Sequence, residues 1–153
     1  MPIVLSSLPL FTILIFSLPL VISDLKSYEL KALPLILLST LIIVVQLLLS
    51  PAFLTERILT SGILLLGGGL IWVISGYRFG LGDVIYLSIL AMVQDPFSLY
   101  FTVLTACVAG FLFYGYHFLR FRVVAGIPLP FVPVLYLSFT FIEVPRWLNT
   151  NFS

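Results

Sequence analysis

Leu33-Pro34-Leu35-Ile36-Leu37-Leu38-Ser39-Thr40-Leu41-Ile42-Ile43-Val44-Val45-Gln46-Leu47-Leu48-Leu49 carries no charged side chain and is stopped by Ser50-Pro51. A membrane-spanning helix needs about 20 apolar residues, with a range of roughly 17–25. The run is continuous rather than alternating, which suits a helix and not a barrel strand. Similar runs lie on both sides of it, at about 2–22, 58–75, 84–93, 97–119 and 130–144. The expected fold is therefore all-α: a polytopic integral membrane protein of about six transmembrane helices in one bundle. Residues 1–153 read as a single membrane-embedded domain without an internal repeat.

Composition agrees with this reading. Of 153 residues, 61% are hydrophobic and 8% charged, where a soluble domain carries about 25% charged residues. Mean hydropathy is +1.26. A net charge of +1 with no basic run offers no electrostatic footprint for nucleic acid; the lipid bilayer is the expected partner. Cys107 is the one cysteine, so no disulfide within the chain and no multi-cysteine zinc site can form. No His/Cys cluster suggests a metal, and no cofactor is expected. Residues 1–22 lack a basic start and a small-residue cleavage site, and read as a retained span rather than a signal peptide.

The fourth run is short, about half the ~30 Å hydrocarbon core at 1.5 Å per residue. Either Gln94 and Asp95 lie in a polar pocket, or the segment before the run dips into the membrane. Gly67-Gly68-Gly69 in the third run either allows close helix contact or loosens the helix. Pro9 and Pro19 are expected to kink the first span, and Pro133 to interrupt the last. Glu56 and Arg57 are expected on a short loop, and Asp95-Pro96 to start a helix.

Lysine and arginine set the orientation. Six alternating spans put Lys26, Lys31, Arg78, Arg120 and Arg122 on one side, against Arg57 and Arg146 on the other. The first side is expected in the cytoplasm and both termini outside, in a cell (plasma) membrane. Asp24 and Asp83 then both fall at the cytoplasmic face.

Those two aspartates are the chemistry-bearing residues. Ionisable groups at a membrane span are costly and usually functional. Asp24 ends the first apolar run, and Asp83 stands behind Phe79-Gly80-Leu81-Gly82 at the start of the fourth. Two adjoining carboxylates share a proton; the ionised one can activate water while the protonated one hydrogen-bonds a carbonyl. Gly80 and Gly82 would let a substrate strand approach Asp83. Their own helix ends favour the anion at Asp83 and disfavour it at Asp24, by about 0.3–1 kcal/mol each. Structural alternatives are an N-cap role for Asp83 and a membrane-border role for Asp24, in a non-enzymatic small helical membrane subunit.

Gly80-Leu81-Gly82-Asp83, with the earlier Asp24-Leu25-Lys26, resembles the GxGD aspartic membrane proteases. It is most similar to the type IV prepilin peptidases and the short archaeal preflagellin peptidases. Ile127-Pro128-Leu129-Pro130-Phe131-Val132-Pro133 resembles the proline-rich stretch near that family's last helix. The resemblance implies an aspartic endopeptidase with Asp24 and Asp83 catalytic, acting on prepilin-like or preflagellin (archaellin) precursors of type IV pili or the archaellum. It would remove their short basic leader at the cytoplasmic border, with Lys26 and Lys31 as possible substrate contacts. Val84-Ile85 and Tyr28 stand where the family often has lysine and arginine, which bears on substrate contacts. The four-cysteine segment of the larger bacterial enzymes has no counterpart. The GxGD motif also resembles the presenilin and signal peptide peptidase branch, whose first aspartate follows tyrosine mid-helix; here Ser23 precedes Asp24.

Overall fold

A computed structural model describes residues 3–27, 32–49, 51–76, 80–121 and 131–152. Its elements are α1 (Ile3–Phe16), α2 (Leu18–Ser27), α3 (Ala32–Leu49), α4 (Pro51–Ile74), α5 (Leu81–Ala91), α6 (Pro96–Phe121) and α7 (Phe131–Phe152). No strand occurs among the described residues. Among the described residues five helical stretches are long and apolar enough to cross a membrane, and a shorter apolar helix is Leu81–Ala91. The protein is an all-α polytopic membrane protein.

The first stretch is broken at Ser17, between α1 and α2. Pro19 accounts for the break: it has no N–H to give to the carbonyl four residues earlier, and its ring crowds that carbonyl. The chain continues through Ser17 N–H to Ile13 O and Val21 N–H to Ser17 O, both 3.0 Å. Pro133, by contrast, does not interrupt α7. It sits in the first turn, where its N–H would have no partner. Glu56 and Arg57 lie on α4 rather than a loop, because the helix starts at Pro51, a favoured first helical residue.

α5 occupies the middle of the bundle, touching α3, α4, α6 and α7. Its Val84, Tyr86, Ser88, Ile89, Leu90 and Ala91 are buried. Around it Ile13, Leu20, Ile42, Leu135 and Phe139 are fully enclosed. The periphery is the reverse: Leu66, Ile74, Phe111 and Leu119 are more than 70% exposed. Those side chains suit lipid, which is as apolar as they are.

An 11-residue α5 rises only about 16 Å, so its C-terminal carbonyls would be left at membrane depth. An unsatisfied backbone group there costs several kcal/mol. Gln46 of α3 donates to Met92 O at 3.1 Å. Arg57 of α4 donates to Met92 O at 3.0 Å and to Val93 O at 2.9 Å. Gln94 donates onward to Thr102 Oγ1 at 2.8 Å and Glu143 Oε1 at 3.0 Å. Of the two expectations for the short run, the polar pocket is realised: Gln94 and Asp95 line a cleft with Glu56, Arg57 and Thr60. The alternative concerns residues 77–79, which lie outside the described residues.

Asp95 starts α6 as expected, its carboxylate accepting from the Ser98 amide and the Ser98 hydroxyl, each at 3.0 Å. Arg146 of α7 also donates to it. Burial pushes the Asp95 carboxyl up, but the Arg146 and Ser98 hydrogen bonds outweigh it and hold it down at about 2. A carboxyl lowered in the folded state stabilises above its unfolded pKa of about 3.9 and loses that contribution as pH falls toward 2. Asp95→Asn keeps a capping oxygen and removes the charge. Its melting temperature in detergent should lie below wild type at pH 7. The two should converge between about pH 4 and 2; a gap that persists at pH 2 would contradict the charge assignment. The pair is partly exposed, so the gap should be small.

Candidate functional site

Asp83 is the third residue of α5, and what places it there is the end of α4. That helix closes with Ser75 N–H to Ile71 O and Gly76 N–H to Val73 O, with Gly76 at φ 66. Glycine takes this left-handed conformation without Cβ strain. After residues 77–79 the chain re-enters a helix at Gly80, the N-cap of α5, whose carbonyl accepts from Asp83 N–H at 3.1 Å. No side chain caps α5, so Asp83 is not an N-cap. Among the described residues its carboxylate accepts no hydrogen bond. Gly82 stands inside the first turn of α5 rather than in a preceding loop.

Gly80 has an ordinary extended backbone, φ −68 and ψ 115, which any residue can adopt. Its lack of a side chain serves a different purpose. A Cβ on Gly80 would collide with the Asp83 carboxylate, which folds back over it. Gly80→Ala should therefore turn that carboxylate away from its position without unfolding α5. A carboxylate is the far end of a flexible side chain, so the expected loss of any Asp83-dependent activity is about tenfold rather than complete. Unchanged activity would show that the carboxylate's resting position is immaterial.

Asp24 lies in the last turn of α2 and is 5% exposed. Its Oδ2 accepts from the Val132 amide at 3.3 Å. Val132 is the second residue of α7, so this amide is one of the first-turn donors that have no partner within their own helix. Asp24 and Asp83 lie near enough for their charges to interact. No hydrogen bond joins the two carboxylates among the described residues. The structure thus puts within range of each other's charge two aspartates separated along the chain by the second and third spans.

Like charges at such range repel. Two helix N-termini converge on them: α5 begins beneath Asp83, and α7 begins against Asp24. Each carries a partial positive charge that favours a carboxylate, by about 0.3–1 kcal/mol or more where partly buried. The donor from α7 offsets the bias expected from the aspartates' own helix ends, which had favoured the anion at Asp83 alone.

Helix α4 lies antiparallel against α5 in a register pinned at three points. Arg57 reaches the C-terminal carbonyls of α5, the Ser61 hydroxyl donates to Ser88 O at 2.8 Å, and Gly68 meets Val84. A Cβ on Gly68 would overlap the Val84 side chain, whereas Cβ atoms on Gly67 and Gly69 would meet nothing within 4 Å. Of the two readings of the glycine triplet, close contact holds, and it belongs to Gly68 alone. Val84 adjoins Asp83, so this contact sets the position of the carboxylate from behind.

Lys26 is exposed in the last turn of α2, two residues past Asp24. Lys31, Tyr28, Arg78, Arg122 and 127–130 lie outside the described residues. No group of three or more His, Cys, Asp or Glu able to hold a metal ion gathers among the described residues. The Val132 amide and Gly68 were not singled out in the sequence. Compared with protein-family models, with curated proteins and with solved structures, the chain matches none.

Proposed function

We propose that this protein is a membrane aspartic endopeptidase that uses Asp24 and Asp83 to hydrolyse a peptide bond. The observation that carries the reading is that two carboxylates from separate helices lie within range of each other's charge at the N-termini of α5 and α7. A purely structural carboxylate in a membrane bundle would be expected to pair with a cation or a full set of donors. Arg57 and Arg146 serve the opposite end of α5 and Asp95 instead.

In the proposed reaction the ionised carboxylate takes a proton from water. The water oxygen attacks the scissile carbonyl, which accepts a hydrogen bond from the protonated partner. The amine leaving group takes up a proton from the pair, and the peptide C–N bond breaks. The helix N-termini favour negative charge on the pair throughout.

The resemblance of Gly80-Leu81-Gly82-Asp83 and Asp24-Leu25-Lys26 to the prepilin and preflagellin peptidases supplies the substrate class. It is a short basic leader followed by an apolar helix. The excess of lysine and arginine on the Asp24 side favours a cytoplasmic site in the cell membrane. Lys26, exposed two residues past Asp24, is the proposed contact for the polar part of such a substrate.

The reading is tested by co-expression with a prepilin and, separately, a preflagellin. Leader loss is followed as a gel shift, and a chain that shifts neither substrate overturns the substrate class. In a Cys107→Ser background, Lys26→Cys should react with a membrane-impermeant thiol reagent only after the cells are opened. Labelling in intact cells would overturn the orientation.

A further inference from the structure

Two buried hydroxyls lie about one helical turn or more beneath the aspartates. Ser17, at the break between α1 and α2, and Tyr86 of α5 are both 0% exposed. Ser17 comes close enough to the Tyr86 phenol to interact with it, yet neither oxygen closes a hydrogen bond of ordinary geometry. Burial alone does not call for polar groups here, since leucine or phenylalanine would fill the space without an orphaned hydroxyl.

Their spacing ties them to the aspartates. Tyr86 follows Asp83 by three positions on α5, and residues three apart share a helix face. Ser17, Leu20 and Asp24 are all buried, at intervals of three and four, so they form one stripe. The faces that bring Asp24 to Asp83 are therefore the faces that bring Ser17 to Tyr86. α7 contributes to both levels. Its Val132 amide donates to Asp24, and its Tyr136 hydroxyl donates to Leu14 O at 2.9 Å while interacting with Tyr86. A polar layer from α1–α2, α5 and α7 thus underlies the aspartate layer from the same segments.

A buried polar contact can specify register beyond what apolar packing selects. Resting on the peptidase reading, we infer that Ser17 and Tyr86 are positioning residues. Their contact sets the rotation and depth of α5 against α1–α2 at which Asp83 faces Asp24. Neither touches the substrate.

The test is a double-mutant cycle in the full chain. Ser17→Ala and Tyr86→Phe should each lower kcat for leader cleavage about tenfold with KM unchanged, because binding surfaces are untouched. The double variant should be no slower than the slower single, since both changes remove one contact. Wild-type kcat in both singles, or independent losses that multiply, overturns the positioning role; with Asp24→Asn inactive, the peptidase reading still stands. If the wild type cleaves no leader, the peptidase reading fails, and the contact is then read by thermal unfolding in detergent. A double variant that melts with one of the singles supports the register contact, and strictly additive shifts overturn it.

Discussion

Asp24→Asn and Asp83→Asn are each expected to abolish leader removal while the protein still inserts and folds. Acid–base catalysis by a positioned group contributes about 10²–10⁴-fold. In a two-carboxylate site neither member works alone, so each single variant should lose at least about 10³-fold, and the double variant little more. The fold should tolerate both changes. Asparagine at position 24 retains an oxygen to accept the Val132 amide. At position 83 it leaves no described donor unpaired and removes the repulsion between the carboxylates. The gel shift gives activity and a melting curve in detergent gives folding. Near-normal cleavage by either folded variant would sink the catalytic assignment.

Gly68→Ala should reduce cleavage by about 10²-fold, although Gly68 touches neither aspartate. The added Cβ would overlap the Val84 side chain. Valine in a helix has one strongly preferred rotamer, and Val84 is 3% exposed with no room to turn. The strain is relieved by moving α5 away from α4, carrying Asp83 with it. A misplacement of about 1 Å can cost about 10² in rate. Adding Val84→Ala to Gly68→Ala removes the clashing methyls and should restore most of the activity. Gly67→Ala and Gly69→Ala meet open space and should cleave normally. A slow Gly68→Ala variant that Val84→Ala fails to rescue would show that Gly68 acts other than through this contact.

The fold was legible because membrane spans are announced by composition along the chain. Continuous apolar runs located the helices of the second and fifth runs to within a few residues of their ends, whereas the first and sixth runs stopped short of Ser27 and Phe152, because polar residues continue those helices. The errors came where a charged or cyclic side chain had two possible settings. Arg57 read as a loop residue because a guanidinium in a span is costly; only the carbonyls at the end of α5 explain its place on α4. Pro133 read as an interruption because its position relative to the helix start was invisible.

The candidate site divides in the same way. Gly80-Leu81-Gly82-Asp83 and Asp24 stood out because carboxylates are scarce in so apolar a chain, and scarcity is a property of the sequence. Their common face was expected from the placing of lysine and arginine, but the α7 amide on Asp24 and the choice of Gly68 within its triplet did not stand out. Each depends on which helices become neighbours, and lipid-facing and core-facing side chains on these helices are alike apolar. The sequence by itself determined that the chain is a helical membrane protein with a few costly carboxylates. Tertiary packing alone decided which groups surround those carboxylates, because polar partners reveal the inward faces only once the helices are side by side.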